Sequence, residues 1–218
     1  MGKDDIFNRR KRAAKIKQER KAAKRAPYET VLVVTEGLKT EPNYLNELVS
    51  RYKLSVANIV IDGESDSSPS SILKYAKQQV KKSKAKGFNY DRIYCVFDKD
   101  SHTCYEETVI AIRNLPGYYC IKSVPCFEYW LLLHFTYTTA SIVKAGKKSP
   151  GDKTLQRLKE FLPDYSKGAK NTFSQLEDKL NVGIRNSKKS LEESLKTGCD
   201  NPSTNMHELV EFLINIKK

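Results

Sequence analysis

Val31-Leu32-Val33-Val34-Thr35-Glu36-Gly37 is a run of aliphatic and β-branched residues that ends abruptly in a carboxylate and a glycine. A run this short and apolar, followed by a helical pattern, reads as a strand buried on both faces of a parallel sheet. Arg92-Ile93-Tyr94-Cys95-Val96-Phe97-Asp98-Lys99-Asp100 repeats the arrangement later in the chain. Ligands of open parallel sheets gather at the carboxyl ends of the strands. Glu36, Asp98 and Asp100 are therefore expected on one rim.

The intervening sequence supports that frame. After Gly37, Thr40 can cap a helix entered through Glu41-Pro42, and Tyr44, Leu45, Leu48, Val49 and Tyr52 recur at helical spacing. Ala57 to Ile61 reads as a second strand, and Ser68-Pro69 restarts a helix with Ile72, Leu73, Ala76 and Val80 on one face. Lys81, Lys82, Lys84 and Lys86 close that helix, where cations suit the macrodipole. Asp91 to Phe97 is the third strand, a helix spans about Tyr105 to Arg113, and Leu115-Pro116-Gly117 breaks it before a fourth strand, Tyr118 to Ser123. This alternation predicts an α/β fold: a parallel four-stranded sheet with right-handed crossovers, flanked by helices.

Beyond it the pattern changes. Phe127, Tyr129, Trp130, Leu131, Leu132, Leu133 and Phe135 are apolar almost all round, which predicts a deeply buried helix. Everything further reads as helix and loop. The stripes are Leu155, Leu158, Phe161 and Leu162; then Phe173, Leu176 and Leu180; then Met206, Leu209, Val210, Leu213 and Ile214, capped near Ser203 or Thr204. The expected organisation is a basic arm over 1–27, an α/β domain over 28–136, and a C-terminal helical appendage over 137–218 packed on it.

Lysine and arginine number 39 against 26 acids, a net charge of +13, of which residues 1–25 carry +8. Arg9, Arg10 and Arg12 lead that segment. It reads either as an arm lying along phosphates or as a solvated tail. Such an excess favours a polyanionic partner, nucleic acid ahead of an anionic membrane. No apolar stretch approaches the ~20 residues that span a bilayer, so a cytoplasmic protein is expected. Five cysteines without a CxxC pair read as buried free thiols.

A glutamate closing the first strand and an Asp-x-Asp closing a later one resemble the Toprim domain pattern. Val34-Thr35-Glu36-Gly37-x-x-Thr40-Glu41-Pro42-Asn43-Tyr44, Phe97-Asp98-x-Asp100 and Pro125-Cys126-Phe127-Glu128-x-Trp130-Leu131-Leu132-Leu133-His134-Phe135 together resemble the RloB family. Tyr165-x-Lys167 and Asn201-Pro202-Ser203-Thr204-Asn205-Met206-His207 fit it too. The resemblance, which extends to AbiLii-type abortive-infection proteins, implies a Toprim-like nuclease of bacterial anti-phage defence with an ABC-type ATPase partner. Two positions depart from it: Leu38 follows Gly37 where relatives often carry a polar residue, and Val124 stands where many have asparagine.

Crowded carboxylates repel, and a divalent cation is the usual relief. Mg2+ or Mn2+ held by Glu36, Asp98 and Asp100 is therefore expected. Two residues apart on an extended strand, the two aspartates share a face, and Glu36 becomes a second-metal ligand or the general base. The bland alternative is a set of solvated strand-end acids. Glu41 and Glu128 are further catalytic candidates, each open to reading as a first-turn helix acid. Lys39, Lys99 and Lys167 are candidates for phosphate contacts, Lys167 mainly through the resemblance. His102 lies just past the Asp-x-Asp, whereas His134 and His207 read as structural. The expected activity is hydrolysis of phosphodiester bonds in DNA or RNA, transfer RNA included. Its rivals are a non-catalytic basic nucleic-acid-binding subunit working with an ATPase, and a Toprim maturation-type ribonuclease.

Overall fold

A computed structural model describes residues 29–54, 59–64, 68–99 and 103–216. Asp100, His102 and the arginines of the arm lie outside them. The strands are β1 (Val31–Thr35), β2 (Ile59–Asp62), β3 (Arg92–Asp98), β4 (Tyr118–Val124) and β5 (Ser203–Thr204). The helices are α1 (Thr40–Arg51), α2 (Pro69–Ala85), α3 (Tyr105–Arg113), α4 (Phe127–Leu132), α5 (Pro150–Phe161), α6 (Thr172–Leu176), α7 (Leu180–Thr197) and α8 (Met206–Asn215).

The sheet runs β2-β1-β3-β4-β5. β1 pairs in parallel with both β2 and β3, through Val33↔Ile61 and Val33↔Tyr94, and β3 pairs in parallel with β4. β5 is antiparallel to β4, through Ser123↔Thr204 and Val124↔Ser203. The expected four-stranded parallel sheet is thus corrected to a mixed five-stranded one. β5 also overturns the expectation of helix and loop alone beyond Phe135. Its two polar residues carry no strand pattern; they are held by what surrounds them. Asn205 accepts from the Lys122 amide at 2.7 Å and donates to the Cys120 carbonyl at 2.9 Å, pairing side chain with strand edge. Asn205, not Ser203 or Thr204, takes the N-cap position of α8, although the Thr204 hydroxyl accepts the Met206 amide at 3.2 Å.

Alternation along β1 divides the core. Leu32 and Val34 pack with Ile72, Leu73 and Ala76 of α2 and Tyr105, Val109 and Ile112 of α3. Val31 and Val33 face Tyr44, Leu45, Leu48 and Val49 of α1. That second cluster continues without a break through Trp130, Leu158, Phe173, Ile184 and Leu213, so the C-terminal helices share the core of the sheet. Every residue of α4 is buried, as its almost all-round apolarity predicts, and Glu128 is buried with the rest. The five cysteines are free, but only Cys95 and Cys126 are buried; Cys104 and Cys120 are half-buried and Cys199 is exposed. Among the described residues no helix is long and apolar enough to cross a membrane.

α7 reaches the core through Gly183. A Cβ there would lie 2.7 Å from Cε1 and Nε2 of His134, whose ring is locked by a 3.0 Å contact of Nδ1 with the Trp130 carbonyl. Gly183→Ala gains helix propensity worth about 1 kcal/mol. Overpacking a rigid ring costs roughly 1–3 kcal/mol, so the clash wins. A net loss of about 1 kcal/mol in urea unfolding is expected; a stabilised variant would show that α7 can slide.

Candidate functional site

The strand order builds the site. With β1 lying between β2 and β3, the crossover from β2 to β3 passes to the other side of β1, and a crevice opens at the carboxyl ends of β1 and β3. Glu36 leaves β1 there, its amide donating to the Val96 carbonyl at 3.0 Å. Its Oε2 accepts the Asp98 amide at 3.0 Å, so two of the expected acids meet across adjacent strands. The backbone amide of Phe127, the first residue of α4, lies near the Asp98 carboxyl and favours its ionised form.

Two helix first turns bring the other acids. Glu41 is buried at the start of α1. Thr40 is already helical; Lys39 takes the N-cap position without a side-chain cap bond, which corrects the capping role expected of Thr40. Gly37 makes room for Glu41, because a Cβ there would lie 2.6 Å from Glu41 Oε2. Gly63 braces the same loop from β2: its Cβ would lie 2.4 Å from the Gly37 carbonyl oxygen. Glu128, in the first turn of α4, is only 2% exposed. It accepts the Tyr165 hydroxyl at 3.3 Å and pairs with Lys167 Nζ at 3.5 Å.

These acids are electrically one group. Burial, then the charges of Glu41, Glu36 and Glu128, push the Asp98 carboxyl well above its ordinary range. Burial, reinforced by Glu128 and Glu36, raises Glu41 from 4.5 to about 7. Lys167 is the counterweight: burial alone would lower its ammonium, but Glu128, Cys126 and Asp98 outweigh that and raise it.

The other predicted cations separate. Lys39 is exposed beside the site, its side chain against Gly168, where a Cβ would approach Lys39 Cβ to 2.9 Å. Lys99 turns to Asp200 at 2.7 Å and Glu106 at 3.5 Å, and lies over the Tyr105 ring. Asp200 carried no sequence signal. Tyr165 was visible only as part of a motif; its hold on Glu128 is a tertiary fact. His134 and His207 are buried within the fold, His207 against the Ser187 hydroxyl at 2.7 Å.

As they stand, no three His, Cys, Asp or Glu side chains among the described residues form a group that could hold a metal ion. The donor chemistry nevertheless suits a hard cation. Glu41 Oε2 is buried without a hydrogen-bond partner among the described residues, and the donors are all carboxylate oxygens. Magnesium keeps several waters and takes only one or two carboxylates directly, so Glu36 and Asp98 suffice as a pair.

A family model described as RloB-like protein matches residues 31–213, a span containing all four carboxylates, Tyr165 and Lys167. No curated protein and no solved structure matches the chain.

Proposed function

The chain belongs to the RloB-like family, and we propose that it is a metal-dependent, Toprim-like nuclease that hydrolyses phosphodiester bonds of DNA or RNA. The observation that carries this reading is the meeting of Glu36 and Asp98 across the β1/β3 crevice, with Glu41 and Glu128 beside them. Excess buried negative charge at a switch point is what a divalent cation relieves, and the bound cation is in turn what draws a polyanionic substrate to such a site. Glu36 and Asp98 would hold Mg2+ or Mn2+, with Asp100 beyond the described residues as the expected further ligand. When bound, such an ion lowers the pKa of its water and offsets charge building on the phosphate.

This chain's own residues supply the rest. Glu41, whose carboxyl burial and the charges of Glu128 and Glu36 raise to about 7, is matched to taking the proton of an attacking water. Lys167, steadied on Glu128, places a cation beside the phosphate. Glu128 is fixed by Tyr165 and keeps Lys167 in place. Lys39 is positioned to meet a flanking phosphate. A cytoplasmic defence role of the abortive-infection kind, with an ABC-type ATPase as partner, completes the proposal.

The test uses the purified full chain with labelled duplex DNA, single-stranded DNA, RNA and transfer RNA. Cleavage of at least one substrate is expected in Mg2+ or Mn2+ and none in chelator. Metal-independent cleavage, or no cleavage together with no calorimetric Mg2+ or Mn2+ binding, would overturn the reading.

A further inference from the structure

A second charged surface lies outside the acid crevice. α2 carries five lysines and no acid along its 17 residues. Helix surfaces ordinarily interleave opposite charges at i, i+4 spacing, because like charges there are destabilising. Lys74, Lys77 and Lys81 fall on one face and, with Ser70, Leu73 and Gln78, line a shallow groove of about 390 Å3. No acidic side chain lines it among the described residues. All three lysines are exposed, and none enters the salt bridges found among the described residues. Leu73, 7% exposed, anchors the groove to the core.

The row is placed relative to the rim. Tyr75, next to Lys74, donates its hydroxyl to Asp62 at 2.9 Å, and Asp62 ends β2. Lys74 is therefore the end of the row nearer the carboxyl ends of the strands. Lys77 and Lys81 lie further along the helix, away from that rim. At a rise of about 1.5 Å per residue, the three cations extend roughly 10 Å along the helix axis. One strand of a duplex advances about 3.4 Å along its axis per phosphate, so the row is about three phosphate steps long.

We propose that the lysine row of α2 grips the phosphate backbone of a nucleic-acid duplex whose scissile bond lies at the acid rim. This deepens, and rests on, the reading of that rim as a hydrolytic site. Charge complementarity selects a polyanion. A straight row of cations fixed on one helix suits the regularly spaced, rigid phosphate backbone of a duplex.

Binding is measured on the full chain carrying Asp98→Asn, which is expected to suppress cleavage, by anisotropy of a labelled duplex between about 50 and 200 mM salt. The triple variant Lys74→Gln, Lys77→Gln, Lys81→Gln is expected to flatten the log–log salt slope by about 2–3 and to weaken low-salt affinity tenfold or more. A charge-matched triple on α7 (Lys188→Gln, Lys189→Gln, Lys196→Gln) is expected to change the slope by less than about one. Equal losses from both triples, or none from the first, would overturn the proposal. So would single strands or polyglutamate held through the row as tightly as duplex. The two readings fail separately. A protein that grips duplex through the row but never hydrolyses it sinks the nuclease and spares the row. One that cleaves while ignoring the row does the reverse.

Discussion

Asp98→Asn should lower metal-dependent hydrolysis by a factor on the order of 10²–10³ or more, the usual loss when a group stabilising transition-state charge is removed. The substitution conserves shape. The backbone amide of residue 98 still donates to Glu36. What disappears is one of two charges at the β1/β3 crevice. Glu36→Gln removes the other and is expected to be as damaging. Because both replacements also relieve charge crowding, folding should be unimpaired, and thermal melts should show variants at least as stable as the parent. Lost hydrolysis with a normal or raised melting temperature is therefore the expected signature. Either variant cleaving at the parental rate would remove the crevice from the chemistry.

Glu41→Gln should stabilise the protein at pH 8 while impairing hydrolysis. An acid in the first turn of a helix normally gains about 0.3–1 kcal/mol from the dipole. Here burial dominates, and Glu128 and Glu36 add to it, moving the carboxyl from 4.5 to about 7. The folded state thus prefers the protonated acid. The stability this represents is fully present below pH 4.5 and is lost as pH rises through about 7. The shift corresponds to a loss on the order of 3 kcal/mol, against which an imperfectly paired buried amide would set about 1 kcal/mol. The net gain at pH 8 is on the order of 2 kcal/mol, or roughly 4–8 °C in melting temperature for a chain of this size. At pH 4 little gain is expected, because both side chains are then neutral. A pH-independent gain, or destabilisation at pH 8, would show that the carboxyl titrates normally.

The strands that define the fold were legible because each signals itself locally. β1 and β3 are apolar runs ended by acids, and α4 is apolar almost all round, Glu128 excepted, a composition that a buried helix tolerates. Glu36 and Asp98 could be named because strand ends are visible in a sequence and parallel sheets bind ligands there. Three things were beyond local reading. β5 is two polar residues whose pairing depends on a clasp by Asn205, a contact made across 83 residues. The fates of Lys99 and Lys167 depend on which acids the fold brings to them: Asp200 for one, Glu128 for the other. The joining of Glu41 and Glu128 to the strand-end pair follows from the order β2-β1-β3-β4, which aims two helix first turns into one crevice. Local periodicity determined which segments are strands and helices, because it reflects burial of a face within a few residues. Only the tertiary structure decided which carboxylates share a field, because charges interact through space and not along the chain.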